Sequence, residues 1–273
     1  MTNPVNVAFW QQPPWQGGGA KHRLGLRPVT SRPVSPATPG AVLTNKQQQL
    51  SANYNAVVAV VEHEASAQSV LLHLPEFKNV QAQCQHLIAD CALAVREDLC
   101  LIDVQADNRL VAACVCAPSY WRLLEKIGLP LARVHAPVQG LNQKIGGNIE
   151  RFFQNMPQDV VFARDNWFLH GDNGLFQPTS EHLFDYPQAH WVMRCEYQTL
   201  YKLTSRYVLF AIRIVCEPLQ HMVGFPDARS DLLSALQRMD ADEIEHFGGQ
   251  RKWQALVDLV QKYDAQAWPG MAT

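Results

Sequence analysis

The chain has 273 residues, 47% hydrophobic and 18% charged, enough apolar material to bury the core of one large domain or two small ones. Its 23 Lys and Arg stand against 25 Asp and Glu, a formal net charge of -2, so no basic field exists to attract a phosphate backbone or an anionic membrane. Residues 1–15 lack a basic start followed by an apolar run, and no long apolar stretch follows anywhere, so neither nucleic acid nor membrane is expected as a partner and the cytoplasm is the expected location.

Residues 1–40, rich in Pro, Gly, Gln and Ser, read as an extended arm; Phe9, Trp10 and Trp15 are poor choices for a solvated tail, so partial docking is expected. Helices are predicted over Asn45 to Glu64 and Val80 to Val95, where apolar residues recur every three or four positions. From Leu99 the period becomes two. Leu99 to Val104 and Leu110 to Ala117 read as a hairpin turning at Ala106-Asp107-Asn108. Ser119 reads as the N-cap of a helix that runs through Trp121, Leu124 and Ile127 and stops at Gly128, and a second helix is predicted over Leu141 to Phe153. Strands follow at Val160 to Leu169, Trp191 to Leu200 and Tyr207 to Cys216, with Thr204-Ser205 in a turn, then amphipathic helices over Asp227 to Asp240 and Gly249 to Trp268.

The expected fold class is therefore α+β: a PAS-like five-stranded antiparallel sheet with inserted helices, flanked by an N-terminal arm with helices and by two C-terminal helices. The expected segments are an arm over 1–40, N-terminal helices packed on the core over 41–98, a PAS-like core over 99–220 and C-terminal helices over 221–273. Such topology holds ligands between sheet and helices but assigns no activity. The seven cysteines are odd in number and contain no CxxC pair, which suits a reducing compartment. Cys114 and Cys116 share a face in a strand, and small buried hydrophobes are the simpler account of them than a metal pair. Gly17-Gly18-Gly19 and Gly146-Gly147 fit no phosphate-binding spacing, and no G-x-S-x-G elbow is present.

Several segments in order along residues 23–219 carry a resemblance. They are Arg23-Leu24-Gly25-Leu26-Arg27-Pro28, Glu97-Asp98-Leu99-Cys100-Leu101, Ala117-Pro118-Ser119-Tyr120-Trp121 and Val134-His135-Ala136-Pro137-Val138, followed by Arg164-Asp165-Asn166-Trp167, Arg194-Cys195-Glu196-Tyr197-Gln198-Thr199-Leu200 and Leu209-Phe210-Ala211-Ile212-Arg213. Together they resemble the alpha-subunit family of heme-dependent oxidative N-demethylases. The chain departs from that family's usual pattern at Gln139, Tyr197 and Thr204, where proline, arginine and proline are common. The resemblance implies a PAS-like fold that binds heme b, uses O2 as co-substrate and oxidises a small N-methylated amine with release of formaldehyde, a monooxygenase reaction. Electrons would come from a separate flavin and iron–sulfur reductase, so reductase subunits, and an oligomer, are the partners it brings into view.

Within that resemblance the iron ligand is assigned to His135, which lies between two predicted helices with Pro137 restricting the backbone behind it. His170 and His190, at a strand end and in a turn, read more simply as exposed, and His22 lies in the arm. Arg164, Arg194 and Arg213 fall within predicted strands, and Arg194 shares a face with Glu196 and Gln198. Two accounts of this polar row stay open. In one it faces solvent, with a surface salt bridge between Arg194 and Glu196. In the other the arginines neutralise heme propionates while Glu196 holds a cationic amine. Trp121, Trp167 and Phe210 would pack on a porphyrin face or fill the core. Three functional readings follow: an oxygen-dependent heme oxidoreductase, a heme-based PAS sensor or small-molecule binding module, and a heme-free structural subunit.

Overall fold

The computed structural model describes residues 5–19, 24–136, 146–180 and 182–262. Among these residues seven strands, β1 (Arg27–Val29), β2 (Val58–Val60), β3 (Asp98–Asp103), β4 (Arg109–Cys114), β5 (Val161–His170), β6 (Val192–Lys202) and β7 (Tyr207–Pro218), form one sheet in the order β1-β5-β6-β7-β3-β4-β2. Every pairing is antiparallel. The five predicted strands are its centre, and the expected count of five is corrected by a three-residue strand at each edge. β2 falls inside the stretch read as a helix over 45–64; the helix ends at Ala52, a short turn covers Tyr54–Val57, and Val58 and Val60 pair with Cys114 and Ala112 of β4. β-branched residues fit this pleated surface better than a helix. β1 carries Pro28, which an edge strand tolerates because no second neighbour needs its missing N–H.

Turn chemistry explains the two tight connections. Asp107 and Asn108 adopt φ of 57° and 51°, the left-handed pair that closes a hairpin in register with strand twist. At the β6–β7 turn the Thr204 hydroxyl accepts the N–H groups of Arg206 at 3.2 Å and Tyr207 at 3.0 Å. Beside it, Arg206 donates to the buried Asp103 carboxylate at 2.6 and 2.9 Å and to Glu64 at 2.5 Å.

Antiparallel register places direct cross-strand partners on one face. Leu99, Leu101, Ala112, Cys114, Leu209 and Ala211 point to the back, where segment 57–95 covers them. The buried Lys46 fastens its helix, Ala41–Ala52, by donating to the carbonyls of Ala92 at 2.8 Å and Val95 at 3.1 Å. At the other end of the back face, Trp167, Leu169, Met193 and Cys195 are covered by helices Pro226–Gln237, Ala241–Phe247 and Gln250–Lys262 together with the arm. The arm is docked: Trp10 and Trp15 are each 1% exposed. The middle helix has a capping box between Asp240 and Glu243. Residues 263–268 of the last predicted helix, with Tyr263, lie outside the described residues.

The front of the sheet is covered by residues 119–136 and helix Gly147–Asn155, whose Ile149 and Phe153 pack on Ile102, Leu200 and Val208. The first part of the helix predicted over 141–153 lies outside the described residues. The helix predicted from Ser119 to Gly128 does not form; only Leu123–Glu125 makes a 3-10 turn. Tyr120 takes φ 60°, and an aromatic residue held in the left-handed region interrupts a helix at its first position.

Candidate functional site

The front face carries an unusual polar row. Arg164 pairs with Gln198, Asn166 with Glu196 and Phe168 with Arg194 across β5 and β6, and β7 continues the row with Ile212, Ile214 and Cys216. Arg194, Glu196 and Gln198 are buried, so this row does not face open solvent. The same register divides the predicted site residues. Tyr197 pairs with Arg213 and Trp167 with Cys195 on the back of the sheet, where Arg213 stacks its guanidinium 4.8 Å from the Tyr197 ring and Trp167 packs edge-on against Trp15 and Phe247. The grouping of all three arginines and Trp167 around one ligand is thus not what the sheet brings together: β7 enters with Arg213 at an odd step relative to Ile212 and Ile214.

Glu196 is held by three neutral donors. Ser119 donates its hydroxyl to Oε1 at 2.8 Å; Gln198 and Asn166 donate their amide N–H groups to Oε2 at 2.7 and 3.4 Å. Arg194, which the solvent-facing account paired directly with Glu196, reaches it through Ser119, whose Oγ accepts from Arg194 Nε at 2.9 Å. The rest of the guanidinium donates to carbonyls: Nη1 to Gly174 at 2.8 Å, and Nη2 to Ala117 and Leu175, each at 2.9 Å, and to Pro118 at 3.3 Å. A buried arginine with its donors spent this way is a clamp between two loops. Asp98 on β3 adds to the clamp by accepting the Ala117 N–H at 2.8 Å.

His135 follows the short helix Leu131–Val134 and is half-buried, its Nδ1 buried with no hydrogen-bond partner among the described residues. Burial, with Arg164 and then Lys126 nearby, lowers its pKa to about 4, so the ring is neutral at physiological pH and its nitrogen lone pair is free to coordinate. Pro137 and Gln139 lie outside the described residues, as does His22. His190 is exposed, as the sequence suggested, but His170 is fully buried. Its Nδ1 contacts Gln177 Oε1, its ring stacks on Tyr120 at 4.4 Å, and burial, with Arg194 and Lys252 nearby, lowers its pKa to about 2. The Lys252 ammonium sits 5.7 Å from the Tyr120 ring. Tyr120 and Gln177 lie against the His170 ring, with the Lys252 charge of the last helix nearby, an enclosure that local sequence does not encode.

Sequence reasoning missed Ser119, Asn166 and Gln198 as holders of Glu196. Asn166 and Gln198 were findable, because they share its face by strand alternation and pairing; Ser119 was assigned to a helix cap. Cys114 and Cys116 lie in the hydrophobic core with Sγ atoms 3.8 Å apart, and burial also pushes the Cys91 thiol up to about 12. Among the described residues no group of three His, Cys, Asp or Glu could hold a metal ion, and no helix is long and apolar enough to cross a membrane. A family model described as haem-dependent oxidative N-demethylase, alpha subunit-like, matches residues 43–257. No curated protein matches the chain.

Proposed function

Because the chain belongs to the haem-dependent oxidative N-demethylase, alpha subunit-like family, we propose that it is a heme b oxidoreductase acting on a small N-methylated ammonium, the catalytic subunit of an assembly with a flavin and iron–sulfur reductase. The observation that carries this reading is Glu196: a carboxylate 9% exposed, on the sheet face that also bears Arg164, whose hydrogen bonds among the described residues all come from neutral groups. Neutral donors orient a carboxylate without cancelling its charge, so the site favours a cation as its ligand.

The residues fit the cofactor. His135, a neutral imidazole whose buried Nδ1 has no hydrogen-bond partner among the described residues, would hold the iron, and Arg164, whose charge is felt at His135, would pair with a propionate. Arg194 braces the loops beside Glu196, its donors being committed to protein oxygens. Bound heme supplies O2 activation and oxidation of the N-methyl group, consuming two electrons and yielding formaldehyde, the demethylated amine and water. Glu196 binds and orients the ammonium. The central strand order β4-β3-β7-β6-β5, with helices inserted between β4 and β5, supports a PAS-like core. Seven free cysteines support a cytoplasmic location.

The test is hemin titration of the purified protein followed by oxygen consumption with a chemical reductant and a methylated secondary or tertiary amine. A Soret band, and formaldehyde formed in step with oxygen uptake, are the expected results. A protein that takes up no hemin sinks the reading, and one that loads hemin but turns over no amine is a binding module.

A further inference from the structure

We propose that Ser119 is a positioning residue that determines which way the Glu196 carboxylate faces, and that the buried Arg194 sets the direction of the Ser119 proton. The inference rests on the reading of Glu196 as the ammonium site. A serine hydroxyl has one proton and two lone pairs and rotates freely unless its neighbours decide for it. Here Arg194 Nε, a group that can only donate, occupies a lone pair of Oγ at 2.9 Å. The single proton is left for Glu196 Oε1 at 2.8 Å, a group that can only accept when ionised. The direction of the chain Arg194 to Ser119 to Glu196 is therefore determined. With Gln198 and Asn166 on Oε2, both oxygens are held and the lone pairs left over are aimed.

The loop carrying Ser119 is held on both sides. Arg194 binds the carbonyls of Ala117 and Pro118 before it, and Gly174 and Leu175 in the facing loop. After it, Tyr120, at φ 60°, donates its N–H to the Gln177 carbonyl at 2.8 Å and stacks on His170. Backbone strain at a non-glycine residue persists where surroundings over-determine it, and it occurs at sites that need pre-organisation. These six neighbouring contacts explain how this loop stays in register with β6; they do not require a hydroxyl at 119, which is the part the Glu196 geometry explains.

The experiment is calorimetric titration of hemin-loaded protein with dimethylammonium, in wild type, Ser119→Ala, Ser119→Thr and Glu196→Gln, with imidazole binding to the heme, read from its spectrum, as a control on pocket integrity. Loss of one hydrogen bond to a charged group should weaken dimethylammonium about tenfold to a hundredfold in Ser119→Ala. Ser119→Thr, which keeps the hydroxyl, should recover affinity to within about threefold of wild type, and imidazole affinity should be unchanged throughout. Wild-type affinity in Ser119→Ala alongside lost binding in Glu196→Gln overturns the positioning role and leaves the ammonium site standing. Unchanged affinity in both variants overturns the positioning role and the ammonium site together. Equal weakening in the Thr and Ala variants, or altered imidazole binding, overturns the proposal in favour of a loop that has simply lost its packing.

Discussion

The His170 imidazole lies flat against the Tyr120 phenol, ring centroids 4.4 Å apart and planes 8° from parallel. Burial first, then Arg194 and Lys252, lowers its pKa to about 2. Since the unfolded chain titrates near the ordinary value of about 6.5, between those values it binds a proton that the folded protein refuses. The stability contribution is complete above about pH 6.5 and declines as pH falls, by up to about 1.4 kcal/mol per pH unit for this one group. Urea unfolding between pH 7 and pH 4.5 should show the slope, and His170→Asn should remove this group's share. Equal slopes in both proteins would show that His170 protonates in place.

His135→Ala should strip or weaken heme while leaving the fold intact, because the residue follows a four-residue helix, is only half-buried, and has a ring nitrogen without a partner among the described residues. The expected stability change is small, about 0.5–1 kcal/mol. Hemin reconstitution and a thermal melt measure the two effects separately. Normal loading with an unchanged spectrum would remove His135 from the iron.

The arm is predicted to be a structural element. Trp15 donates its indole N–H to the Ala228 carbonyl at 2.8 Å and is 1% exposed, so Trp15→Ala should cost about 3–5 kcal/mol. Gly18 offers a subtler probe: at φ 62°, a Cβ there would lie 2.6 Å from the Ser234 Cβ. Gly18→Ala should therefore undock the arm and lower the melting temperature. Denaturant midpoints equal to wild type in both variants would mean that the arm contributes nothing to stability.

Arg206→Ala should destabilise the fold, because the buried Asp103 would lose its charged partner. In the double variant with Asp103→Asn the penalty should be smaller than the sum of the two single changes, as expected of coupled neighbours. Additive losses in that cycle would contradict the pairing.

Sequence by itself determined the strand-bearing frame. Period-two runs from Leu99 onward, the Asp107-Asn108 and Thr204-Ser205 turns and the two amphipathic C-terminal helices are local signals, and the described residues carry them, with a third helix, Ala241–Phe247, between the two that were expected. Alternation also placed Arg194, Glu196 and Gln198 on one face. Tertiary structure decided the rest, because hydrogen-bond partners and burial are properties of distant segments brought together. Short edge strands such as Val58–Val60 exist only because β4 offers a partner. Ser119 is a good cap by composition, but Arg194 and Glu196, 75 and 77 residues away, claim its hydroxyl. His170 looks exposed at a strand end until Tyr120 and Gln177 close over it, with the Lys252 charge of the last helix nearby. Strand alternation separates Arg213 from its nearest strand neighbour Ile212, but only pairing with β6 reveals that Arg213 and Arg194 stand on opposite faces of the sheet.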